Sequence, residues 1–164
     1  RYAEKLGEDM GVRKTFGFSE IKKKYSSGKI EASIDSKILR QLSYIGEELC
    51  NHARNITPSR NSGGFDDQTG NLRSSIGYAI YKNGERKKKG GFKQVKNGND
   101  GENIAKSAVE EYGDNVASAL GWTLVIVAGM NYATYVEAKG HNVLRLTDYE
   151  LKSKIAELKA KLMN

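Results

Sequence analysis

The sequence predicts an α+β domain in which an antiparallel sheet packs against a long N-terminal helix and a C-terminal helix, with an extended basic hairpin or flap. Three observations predict it. From Asp35 to Ile56, the residues Ile38, Leu42, Ile45, Leu49, Ala53 and Ile56 recur at spacings of three and four, which lays one apolar stripe along a helix. Residues 75–82 and 121–129 have strand character. Near the end, Thr147-Asp148-Tyr149-Glu150 reads as a capping box, followed by Leu151, Ile155, Leu158 and Leu162 on one stripe.

Taken in order, residues 1–34 mix Gly, Lys, Ser and Glu with few apolar anchors (Phe16, Phe18, Ile21, Tyr25), so they read as an N-terminal arm with one short helix around Ser19–Tyr25. A single domain is expected over 35–164. Pro58 ends the first helix, because the residue before proline is biased away from helical backbone. Ser59–Gln68, rich in Asn, Ser, Gly and Asp, reads as a surface loop. In the next segment Ile76, Tyr78 and Ile80 alternate with Gly77, Ala79 and Tyr81, as in a half-buried strand, and Asn83-Gly84 is a hairpin turn signal. Residues 83–101 then read as a flexible basic excursion with a frayed hairpin around Phe92–Val95.

From Glu102 a helical pattern (Ile104, Ala108, Tyr112) is interrupted at Gly113-Asp114 and resumes toward Leu120. Gly121–Gly129 is the strongest strand, and its apolarity on both faces predicts a central, covered position. Asn131–Ala138 fits a short helix. The pairs Asp148/Lys152, Glu150/Lys154 and Glu157/Lys161 have the favourable acid-first order on the last helix.

A chain of 164 residues supports one domain with a real core. No apolar run reaches the roughly 18 residues that a membrane span needs, and no signal-peptide core is visible near the first residue, so a soluble protein of intracellular origin is expected. The single cysteine, Cys50, falls in the helical pattern and is expected to be a small buried hydrophobe. The net charge of +7 is concentrated: Lys82, Arg86, Lys87, Lys88, Lys89, Lys93 and Lys96 oppose only Glu85 between positions 82 and 96. Such a block repels itself and tends to be solvated. These cations are candidate contacts for DNA or for an acidic partner surface.

Little catalytic chemistry is available. Cys50 and His52 point to different faces of a helix and cannot share a metal. Glu137 and His141 would meet across a turn as a carboxylate beside an imidazole, but no third ligand or nucleophile accompanies them. Ser27-Gly28-Lys29 fails as a phosphate loop, since Lys23 stands where that pattern needs glycine, and Asp66-Asp67 lacks the remaining positions of a calcium loop. No enzyme, cofactor, metal or small-molecule substrate is expected, and no membrane.

Two segments say more. Thr69-Gly70-Asn71-Leu72-Arg73-Ser74-Ser75-Ile76, coming after the helix that ends at Thr57-Pro58, resembles the first signature of the tail-component or tail-completion proteins of long-tailed phages. Tyr132-Ala133-Thr134-Tyr135-Val136-Glu137, followed by Gly140, resembles the second. The order of elements agrees, although Ser59–Gln68 is longer than the usual link and Ala138-Lys139 separates Glu137 from Gly140. The resemblance implies a structural virion protein, assembled in the host cytoplasm, that acts in the neck or head-proximal tail through ring assembly with itself and with other phage neck or tail proteins. Physically, Thr69-Gly70 is a tight turn that would send Leu72 inward and leave Arg73 outside. Arg73, Tyr132, Tyr135 and Glu137 are the candidate subunit interface. The competing expectation is a small basic nucleic-acid-binding protein using Lys82–Lys96, although Phe92 is the sole aromatic near enough to stack on a base.

Overall fold

The computed structural model describes residues 12–18, 28–56, 66–115, 120–139 and 143–163; the side chains of Tyr135 and Glu137 are among those outside the description. The elements are β1 (Val12–Phe18), α1 (Gly28–Asn55), α2 (Asn71–Ser74), β2 (Ile76–Lys82), β3 (Glu85–Gly90), α3 (Asn99–Asn115), β4 (Trp122–Ala128), α4 (Ala133–Ala138) and α5 (Arg145–Met163). The described strands form one antiparallel sheet in the order β1-β4-β2-β3. The α+β class is as expected.

The sheet has two covered faces. On one, Tyr78, Ile80, Leu124 and Ile126 meet the α1 stripe of Ile38, Leu42, Ile45 and Leu49, and Leu151 and Leu158 of α5 belong to the same cluster. On the other, Ala79, Tyr81, Val125 and Val127 pack with Val109 of α3. The Tyr81 hydroxyl donates to the Val109 carbonyl at 2.9 Å, so that ring is buried without stranding its polar end. Every residue of β4 is buried, which is why its sequence is apolar at successive positions instead of alternating.

Several boundaries move for physical reasons. Helix α1 starts at Gly28 instead of Asp35, because Ile34 carries the stripe one turn back and packs on the core. Part of the expected arm is strand: residues 12–18 pair with β4 from Val12↔Ala128 to Phe18↔Trp122. Val12, Thr15, Phe16 and Phe18 have the branched and aromatic character that suits a sheet. Helix α3 runs without interruption from Asn99 to Asn115 and contains Gly101. A side chain at Gly101 would strike the backbone carbonyl of Asn71, so the glycine marks the close approach of α3 to α2.

The flexible excursion is the clearest correction. Asn83 (φ 52°) and Gly84 (φ 82°) both take left-handed backbone, the requirement of a type I′ turn, and Lys82 pairs directly with Glu85. The residues after the turn therefore form β3, an ordered edge strand, and the hairpin is not around Phe92–Val95 but at Asn83-Gly84.

Helix α5 begins at Arg145, before the expected capping box, so Thr147 lies inside the helix. Buried Val143 and Leu144 fix the approach to it. The anticipated Glu150/Lys154 pair is redirected across helices: Lys154 Nζ lies 2.7 Å from Glu48 of α1, and Glu150 lies 3.4 Å from His52. The Lys154 ammonium holds the Glu48 carboxyl below its ordinary value. That depressed pKa makes the stabilisation complete above the unfolded-state pKa and lost as pH falls through the folded one. No described helix is long and apolar enough to cross a membrane.

Apolar burial outweighs these half-buried pairs in docking α5. Leu158→Ala is expected to cost about 2–5 kcal/mol in urea unfolding, and Lys154→Ala no more than about 1 kcal/mol. Equal losses would show that the ion pairs hold the helix.

Candidate functional site

The two signature segments, far apart in sequence, come together at one end of the sheet. Strand register sets this up, since Ile76 pairs with Ala128. One residue beyond, the Gly129 amide donates to the Ser75 carbonyl at 2.9 Å, and the Met130 amide donates to Ser75 Oγ at 3.3 Å. Ser75 is wholly buried, and its hydroxyl in turn donates to the Leu72 carbonyl at 2.8 Å. The Tyr132 side chain lies beside Thr69, and its phenol pKa is raised, first by burial and then by the nearby Asp67 carboxylate.

Asp67 organises the turn. It is 6% exposed, and its carboxylate accepts from the Gly70 amide at 2.9 Å and the Arg73 amide at 2.7 Å. Gly70 takes left-handed backbone (φ 83°) as the N-cap of α2, with no side chain to bond the free amides, and Asp67 takes over that role. Lys96 Nζ donates to the Asp67 carbonyl at 2.6 Å. Leu72 is 2% exposed, as expected.

Arg73 does not stay outside. Half-buried, it donates to the Arg54 carbonyl and, at 2.9 Å, to the Ile56 carbonyl at the end of α1. Helix-terminal carbonyls lack intrahelical partners, so a guanidinium is a fitting cap.

Arg54 returns the contact. It is only 5% exposed, yet its guanidinium donates to the carbonyls of Arg73 (3.1 Å), Ile76 and Gly91. Burial lowers its pKa from the ordinary value, while the Glu47 and Glu102 carboxylates pull the other way. Beside it, Glu47 Oε1 accepts from the Gly91 amide and from the Tyr78 hydroxyl, both at 3.1 Å. One readable signal lay in the sequence: Arg54 follows Cys50 by four, and Cys50 and Ala53 are buried, which puts Arg54 on the inner side of the helix.

Comparison with family models, curated proteins and solved structures finds no match. The geometry therefore stands alone. Tyr132 is 38% exposed at the shared end of the sheet. Tyr135 and Glu137 lie on α4, with side chains outside the described set, and His141 lies outside the described residues. The Glu137–His141 pairing thus falls outside them too. Among the described residues no cluster of His, Cys, Asp and Glu is suited to a metal ion. Burial pushes the Cys50 thiol up to about 12, which leaves it without thiolate at neutral pH.

The basic segment divides. Lys82 is ion-paired with Asp35 and lies 5.7 Å from the Trp122 ring centroid, so it braces the first half of α1 on the sheet. Lys96 is engaged by Asp67, Lys87 by Glu85 at 2.6 Å and Lys89 by Glu110 at 2.7 Å. Arg86, Lys88 and Lys93 are all exposed, and Arg86 helps Lys89 hold the Glu110 carboxyl below its ordinary value. Phe92 packs against the α3-side cluster with Lys106 Nζ 6.0 Å from its ring centroid, which occupies the face that a base would stack on.

If Asp67 organises the first signature turn, Asp67→Ala should destabilise the fold by about 1–3 kcal/mol in urea unfolding. Asp66→Ala, at an exposed neighbour, should be near neutral. Equal effects would remove Asp67 from that role.

Proposed function

We propose that this chain is a structural virion protein of a tailed phage or prophage, acting in the neck or head-proximal tail as a tail-completion or head–tail-joining component through ring assembly. The observation that carries the reading is the convergence of the two signature segments: Ser75 bonds Gly129 and Met130, and Tyr132 reaches Thr69. Segments that resemble one family's two signatures and meet in one joint support a shared scaffold. The long helix, β2, β4 and the C-terminal helix follow one another in the expected order, with β1 and β3 added, and this is a second support.

Function on this reading lies in surfaces. A ring needs a head-to-tail contact that closes by rotation. The end of the sheet carrying exposed Tyr132 and α4 is one side of that contact, and amphipathic Tyr is a favourable residue there. Arg73 is engaged within its own chain and contributes by shaping this end, not by reaching a neighbour.

The nucleic-acid alternative weakens because the cations are spread over several elements and Phe92 is covered. The test is solution mass by light scattering across concentration, alone and with neck and tail partners. A closed multiple of 18.1 kDa is expected, and Tyr132→Arg should raise the dissociation constant at least about tenfold while leaving the melting curve intact. A chain that stays monomeric under every condition would overturn the reading.

A further inference from the structure

We propose that the outer edge of β3 is a docking site for an extended acidic segment of a partner protein, which adds to the sheet as a further strand. The inference rests on the structural-protein reading only in taking function to lie in surfaces. It requires no ring.

The first observation is an open main chain. Strand β3 pairs with β2 on its inner side, and no described strand pairs with it on the outer side. An edge of this kind presents alternate N–H and C=O groups to any extended chain that can approach. The edge is also held in place. Just past it, the Gly91 amide donates to Glu47 Oε1 at 3.1 Å and the Gly91 carbonyl accepts from Arg54. A template fixed in advance loses little freedom when it is bound.

The second observation is charge on both faces of that edge. Residues Glu85 to Lys89 are all exposed. Directly paired residues share a face, so Lys88, opposite Ile80, lies on the α1 side, while Arg86, opposite Tyr81, and Lys89, opposite Ala79, lie on the α3 side. The Lys89–Glu110 pair agrees, since Glu110 belongs to α3. Lys88 thus offers an exposed cation to the α1 face, and Arg86, which shares the field of Glu110 with Lys89, offers a second to the α3 face.

These features select the occupant. A second copy of β3 would set cation against cation, which disfavours self-pairing. A phosphate backbone is a poorer fit, because Arg86 and Lys88 point to opposite faces of β3 and Phe92 is packed under Lys106. An extended peptide with acids on both of its faces satisfies the main chain and both cations together.

The test uses the full chain and a fluorescent octapeptide of Glu, Val and Thr, acidic on both faces when extended, followed by anisotropy. Saturable binding is expected. It should weaken at least about tenfold in the Arg86→Glu, Lys88→Glu double variant, and equally when alternate peptide amides are N-methylated, which removes main-chain donors but no charge. The N-methyl comparison is made on the unaltered protein, so it decides the matter even if the double variant misfolds. Absence of saturable binding, undiminished binding of the N-methylated peptide, or tighter binding of oligothymidylate than of the peptide would each overturn the proposal. Solution mass reads the ring separately, so failure of one leaves the other standing.

Discussion

The structure depends on one buried guanidinium. Arg54, near the end of α1, donates to carbonyls from α2, from the first residue of β2 and from the segment leaving β3. Those carbonyls are turned away from water where helix, sheet and loop converge, and each would be costly to leave unmade. Arginine suits the place because its planar fork carries five donors in a fixed geometry. Arg73 completes the clasp by capping α1 from the other side. The junction therefore locks the long helix to the hairpin.

From that junction the rest follows in layers. Strand β2, fixed at its first residue, presents Tyr78 and Ile80 to α1 and Ala79 and Tyr81 to α3. Strand β4 fills the sheet between β1 and β2, and its exit through Gly129 and Met130 is fastened to Ser75, which brings the segment from Tyr132 beside that from Thr69. Charged residues are arranged around this scaffold. Lys82 with Asp35 and Lys154 with Glu48 bind α1 to its neighbours, and the cations left over lie on β3 and just past it.

Much of this was legible in the sequence, for reasons that differ by element. The α1 stripe, the apolar run of β4 and the Asn83-Gly84 turn are local patterns that tertiary structure had only to accept. Strand β3 was not legible, because an edge strand exposed on both faces carries no alternation, and Arg-Lys-Lys-Lys reads as solvated chain whether or not its backbone is paired. Gly113-Asp114 reads as a break, yet α3 runs through it. Arg73 was obscured by a similar ambiguity: an arginine beside a turn has the same local sequence whether it reaches water or carbonyls. Of the candidate site residues, Tyr132 lies exposed at the end of the sheet, whereas Arg73 turns inward and Lys82 and Lys96 are engaged within the fold.

Hydrogen exchange on Arg54→Lys probes the junction itself. Lysine keeps the charge and loses the fork, so amides of α2, of the start of β2 and of residues 90–96 should lose protection together, while those at the α1–α5 contact keep theirs. Loss confined to the last turn of α1, or none anywhere, would contradict a junction held by this one side chain.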